Sequence, residues 1–207
     1  GEKAVEGLTA GLIDSTEEHS PELQLIGTFN QENAKAAKAA ARAFHPKIEE
    51  GGMDDSLRSF RGTWRRFEYK GKTATGASVY DDYAHHPTAI EKTLTGVRGK
   101  FPGKAIVVAF HPHLYSRTKS LLSEFARALA KADEVVLAPI YAAREENDPA
   151  ISSDILAGHI VKEGGRAESL STFELIEKRL SGYAEGTILI TMGAGDIYKV
   201  AEKLAKS

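Results

Sequence analysis

The chain has 207 residues, no cysteine, 42% hydrophobic and 27% charged residues, and a formal net charge of −2. A chain without cysteine has no disulfide framework, no Cys-ligated zinc site and no thiolate nucleophile. The near-neutral charge argues against a dedicated nucleic-acid binder, and no apolar run approaches the ~18–20 residues of a membrane span.

In chain order, GLTAGLID (7–14) and LQLIG (23–27) read as short strands of a sheet whose other members lie outside this sequence. The Ala-rich run 30–44 is a helix by propensity, with Asn30 as its N-cap, Asn33 in its first turn and His45-Pro46 as its stop. A short second helix follows the Gly51-Gly52 break. A new unit starts near Gly62, where 63–70 and 73–83 form a hairpin turning at Gly71-Lys72. From there strands and helices alternate. Residues 87–101 read as a helix, 104–110 as a strand and 116–132 as one amphipathic helix carrying Leu121, Leu122, Phe125 and Leu129. A strand over 134–140, helices over 152–164 and 171–183, a strand over 187–192 and a last helix over 196–206 complete the pattern. This is α/β, with a mostly parallel sheet and helices on both faces.

Ligands of such sheets bind beyond the carboxyl ends of the strands. Four polar segments stand there: Asp81-Asp82-Tyr83-Ala84-His85-His86, His111-Pro112-His113-Leu114-Tyr115-Ser116-Arg117, Tyr141 to Glu146, and Gly193-Ala194-Gly195-Asp196. Taken singly, each is ambiguous. Asp81 and Asp82 suit a divalent ion or ribose hydroxyls, or merely a helix N-terminus. His85 and His86 suit a base, a ligand contact or a cap. Arg117 suits a bidentate carboxylate or phosphate contact, or a surface ion pair. Gly193 suits a close backbone approach to a ligand, or a plain strand-to-helix turn. Residues 1–50 carry a net charge of −4 and residues 56–72 one of +5, a local basic stretch fit for a small anion or for solvent. Gly71-Lys72-Thr73 copies the end of a P-loop, but the upstream glycine is absent and the segment lies in a hairpin.

In combination, RRFE (65–68), VYDDYAHHPTAI (79–90), PHLYSRTKSL (112–121), IYAAREE (140–146) and MGAGDIYKVAEKL (192–204) resemble the Mur ligases of peptidoglycan synthesis, nearest to members that join L-alanine to UDP-N-acetylmuramate. The resemblance covers about residues 26–207. It implies a remnant of the central ATP-binding domain over 1–56 and a Rossmann-like C-terminal domain over 57–207. It also implies ATP-dependent amide formation through an acyl phosphate, with Mg2+ held mainly by N-terminal domains that these residues do not include. His85 and Arg117 become the catalytic pair. Asn33, Arg66, Asp81 and Tyr83 become nucleotide contacts. His85, His86, Arg117 and Gly193 become substrate contacts, and no metal ligand is assigned. Phe29 stands where family members carry His, and Leu114 where some carry Arg. The implied partners are UDP-N-acetylmuramate, L-alanine, ATP and the N-terminal domains, with no nucleic acid. The N-terminal GEKAVEGLTAG does not read as a signal peptide, and the expected setting is the cytoplasm. Two other readings remain open: a nucleotide-binding or regulatory module, and a metal-dependent phosphoesterase built on Asp81, Asp82, His85, His86, His111 and His113.

Overall fold

A computed structural model describes residues 13–206. It divides into two compact units, Gly1–Arg61 and Gly62–Ser207.

The first unit holds helices α1 (Thr28–Phe44) and α2 (Glu50–Ser59). Helix α1 begins two residues before Asn30, so Asn30 is not its cap; its side-chain amide instead donates to the carbonyl of Ile26 at 2.7 Å. His45 ends the helix as expected. Gly51 and Gly52 lie inside α2 rather than before it. Segment 23–27 is irregular, because it has no partner strand among the described residues, and most of the strand expected over 7–14 lies outside them. Lys38 is 1% exposed. A buried ammonium must be paired, and Lys38 meets Glu50 and, at 2.9 Å, Asp54. Arg42 fastens Glu18 at 2.9 Å beside it.

The second unit is a six-stranded sheet with β1 (Glu68–Lys72), β2 (Ser78–Asp82), α3 (Pro87–Lys100), β3 (Ala105–Phe110), α4 (Tyr115–Ser120), α5 (Leu122–Leu129), β4 (Glu134–Leu137), α6 (Ser153–Lys162), β5 (Ala167–Ser169), α7 (Phe173–Leu180), β6 (Thr187–Met192) and α8 (Tyr198–Leu204) in chain order. The strand order is β1-β2-β6-β3-β4-β5. Only the β1–β2 pair is antiparallel. Central strands read as continuous apolar runs because both faces are covered. Along β3, side chains alternate. Val107 and Ala109 join Ile176, Leu180, Val200 and Leu204 of α7 and α8 on one face. Phe110 points the other way and meets Phe125 of α5, with ring centroids 5.6 Å apart.

Three expectations change here. Gly71 and Lys72 belong to β1, where a register shift marks a bulge between Tyr69 and Gly71, and the hairpin turns over residues 73–77 instead. The strand expected from Thr63 starts only at Glu68, because Arg65 (φ 57°) and Phe67 (φ 47°) take the left-handed conformation. The helix expected over 116–132 breaks at Leu121 (φ −113°, ψ 24°) into α4 and α5.

Candidate functional site at the carboxyl edge of the sheet

Strands β2, β6, β3 and β4 run parallel, so their exits gather at one edge. Local bonds then set each loop. His86 caps α3: its Nδ1 accepts from the Thr88 amide at 3.4 Å, and Pro87 fills the first turn. The backbone of Leu114 (φ 71°) is pinned to the Tyr141 carbonyl at 2.9 Å. Glu145 accepts the Ser116 amide at 3.0 Å and thereby holds the 141–146 loop on the start of α4.

The site residues expected from sequence divide into two groups. Asp81 is 0% exposed. Its Oδ2 receives Arg65 Nε at 2.8 Å and its Oδ1 receives the Thr191 hydroxyl at 2.6 Å. Both oxygens are engaged inside the protein, one in a buried ion pair and one with a hydroxyl. Gly193 is likewise spent: its amide donates to Asp82 O at 3.1 Å, and its carbonyl accepts Arg65 Nη2 at 2.6 Å. A Cβ on Gly193 would stand 2.6 Å from the His111 carbonyl. The glycine therefore admits a close approach of protein backbone at that point. His86 is exposed and caps α3.

Tyr83, His85, Arg66 and Arg117 keep free chemistry. Arg66 is exposed, and its guanidinium lies 5.6 Å from the Tyr83 ring centroid. Tyr83 and His85 meet edge to face at 5.1 Å. His85 Nδ1 lies 2.9 Å from the Tyr83 carbonyl. A carbonyl only accepts, so Nδ1 carries a hydrogen, and in the neutral ring the lone pair is on Nε2. The His85 ring is 6.5 Å from that of His113. His113 Nδ1 and Arg117 Nη1 are buried without a partner. Burial, then the Arg117 guanidinium and His85, hold His113 below the usual imidazole range. The sequence offered His113 only as a possible metal ligand and gave it no part in the ligase site. Its signal was position alone, two residues beyond the exit residue of β3 and one turn before Arg117. Asn33 lies in the first unit, exposed on α1, with its amide 3.4 Å from Asn30 Oδ1.

Two buried titratable groups flank this edge with opposite effects. Burial pushes Asp82 up to about 6, against the hydrogen bonds it accepts from the Ala84 amide and the Thr93 hydroxyl. Burial pushes His111 down to about 4. Asp82 gains protons on folding, so its contribution falls as pH rises from about 3.8 through 6. His111 loses protons on folding, so its contribution falls as pH drops from about 6.5 through 4. The two slopes oppose each other across nearly one window. In His111→Asn the His111 slope is gone while the Asp82 slope remains. The variant is expected to gain stability relative to the parent chain as pH is lowered from 7 to 4.5, read from urea unfolding at each pH. A constant difference between the two chains would refute the assignment.

Among the described residues one group of three side chains is close enough to share a metal ion: His19, Glu50 and Asp54, in the first unit. It does not fit one, since the Lys38 ammonium already sits on both carboxylates. The Asp and His residues of the second unit form no such group among the described residues. A cleft of 420 Å3 at the β3 and β4 exits is lined by His111, Tyr141, Thr172 and Phe173. No helix among the described residues is long and apolar enough to cross a membrane.

Residues 65–195 match the family model described as Mur ligase, glutamate ligase domain. The chain is 45% identical over 185 residues to the UDP-N-acetylmuramate–L-alanine ligase of Agathobacter rectalis, covering 89% of this chain and 39% of that protein. It is 46% identical over 196 residues to that of Lachnospira eligens, covering 94% and 42% respectively. The crystal structure of UDP-N-acetylmuramate-alanine ligase from Thermotoga maritima superposes with a TM-score of 0.74 at 28% identity, over 90% of this chain and 39% of that one. The chain thus spans about two-fifths of the length of the relatives it matches. The sheet order, the polar strand exits and the match over most of the second unit agree: the chain belongs to the Mur ligase family.

Proposed function

We propose that this chain is the C-terminal portion of a cytoplasmic ATP-dependent ligase that joins L-alanine to UDP-N-acetylmuramate in peptidoglycan synthesis. Residues 1–56 are then the end of the central ATP-binding domain, and residues 57–207 are the ligase domain. The observation that carries the reading is the pair of buried, unpartnered nitrogens on Arg117 and His113 beside His85. An unpaired buried donor costs about 1–3 kcal/mol. A carboxylate offers oxygens to both nitrogens, and an α-amino acid is the smallest substrate that brings a carboxylate together with a nucleophilic amine. The names of the relatives point to L-alanine.

In this reading Arg117 and His113 hold the alanine carboxylate, and the His85 Nε2 lone pair faces the amine side. Arg66 and Tyr83 take the nucleotide side: the guanidinium meets phosphoryl oxygens, and the ring supports it. Asn33 meets adenine. The muramoyl carboxylate takes the γ-phosphoryl group of ATP, and the amine then displaces phosphate to form the amide. Positioning and charge stabilisation supply most of such catalysis. Mg2+ is assigned mainly to the N-terminal domains of the longer protein, and Asp81 and Asp82 at this edge are engaged with internal partners.

The test is phosphate release with ATP, UDP-N-acetylmuramate and L-alanine. A longer protein carrying this chain behind a P-loop is expected to need all three. The 207-residue chain by itself contains no P-loop pattern and is expected to release none. Robust turnover by the isolated chain would refute the division of labour.

A further inference from the structure

Arg65 and Arg66 are adjacent and identical, yet the fold treats them oppositely. Arg65 is 3% exposed, while Arg66 lies at the surface. Arg65 and Phe67 both sit at positive φ, a conformation that long side chains keep only where the surroundings over-determine it. The surroundings do so here. Arg65 Nε donates to Asp81 Oδ2 at 2.8 Å and Nη2 donates to the Gly193 carbonyl at 2.6 Å. Its own amide donates to Glu68 at 3.0 Å, and its carbonyl receives the Tyr83 amide at 2.7 Å. The guanidinium is boxed by the rings of Trp64, Tyr83 and Tyr198, at 5.7, 5.1 and 4.9 Å from their centroids. These partners come from the turn before β1, the end of β2, the exit of β6 and the start of α8.

We propose that Arg65 is a positioning residue: it ties the 64–67 turn to the ends of β2 and β6, and so holds Arg66 against Tyr83 without meeting substrate itself. Asp81 neutralises Arg65. Arg66 has no ion pair among the described residues, so it is the cation of the two that remains available to an anion. Lysine cannot take over from Arg65, because a point charge cannot bridge Asp81 and the Gly193 carbonyl while lying flat between three rings. The inference rests on the ligase reading only in naming a nucleotide as the anion that Arg66 meets.

Two variants of the 207-residue chain test it. Arg65→Lys keeps the charge. The paired change Arg65→Met with Asp81→Leu removes both charges, leaving no buried carboxylate unpaired, and such replacements are often neutral for stability. Thermal melting monitors the fold. NMR reads hydrogen exchange at the Tyr83 amide and the ring-current shift that Tyr83 imposes on the Arg66 side chain. In chains that remain folded, Tyr83 exchange is expected to rise roughly tenfold or more, and the Arg66 shift is expected to collapse. Emission from Trp64, the sole tryptophan, moves with them. Parent-like exchange and shift in either folded variant would overturn the proposal. The ligase reading is tested apart, by the KM for ATP of Arg66→Ala in the longer protein. An unchanged KM sinks the nucleotide contact, while loosening in the Arg65 variants still upholds the positioning role.

Discussion

Arg117→Ala is expected to lower kcat/KM for L-alanine by about 10²–10³-fold in a ligase carrying this chain, with the KM for ATP little changed. Truncating one partner of a buried, charged hydrogen bond costs about 2–5 kcal/mol, and 1.4 kcal/mol is about tenfold. The neighbour at 114 is leucine, so no second guanidinium stands beside it on that turn to share the carboxylate. His113 remains, but burial and its neighbours favour the neutral ring, which donates one hydrogen bond and brings no charge. Arg117→Lys keeps the charge, loses the fork and is expected to fall between the two. Melting of the 207-residue chain should not fall, since Arg117 Nη1 has no internal partner to lose and its unpaired burial is relieved. Initial rates of phosphate release against alanine concentration check the kinetic claim. A raised KM for ATP with alanine kinetics intact would move Arg117 to the nucleotide side.

Much of the scaffold was legible because burial on two faces leaves a plain signature. Ile106 to Phe110 and Val135 to Leu137 are apolar without alternation, and they are central strands. Strand β5, Ala167-Glu168-Ser169, carried no such signature: it is three residues long, half-buried and at the sheet edge. The break at Leu121 was hidden because the apolar spacing continues through it into Phe125 and Leu129. At the strand exits the sequence located the polar loops but could not divide neighbours. Arg65 and Arg66, Asp81 and Asp82, and His85 and His86 are pairs of similar chemistry. In the arginine pair the fold buries one member on internal partners and leaves the other to solvent. In the histidine pair one member caps a helix and the other keeps a free ring nitrogen. Asp81 and Asp82 are both buried. The positive φ of Arg65 makes the first division and the N-terminus of α3 the second. Neither leaves a trace in residue type. The first unit was legible only in its helices, because the strand expected over 23–27 needs a neighbour to be a strand at all.

Gly193→Ala is expected to cost about 3 kcal/mol of stability in the second unit, a value for strain combined with overpacking. Gly193 sits at φ 139°, outside the range that L side chains adopt readily. The added Cβ would lie 2.6 Å from the His111 carbonyl and 3.2 Å from its Cβ. His111 cannot simply retreat, because its amide is bonded to Met192 O at 2.9 Å, and that bond continues the β3–β6 ladder. For a chain of this size each kcal/mol moves the midpoint by about 2–4 °C, so melting should fall by roughly 6–12 °C. Gly99→Ala is the control. Gly99 is exposed in α3, and a methyl group added there would meet nothing within 4 Å, so alanine should stabilise by about 0.4–1 kcal/mol. Parent-like melting of Gly193→Ala would mean that the exit of β6 yields easily. The turn would then be free to part from His111 and open its backbone to a ligand. A large loss fixes the opposite conclusion. The glycine turn then serves to seat His111 and to offer a carbonyl to Arg65.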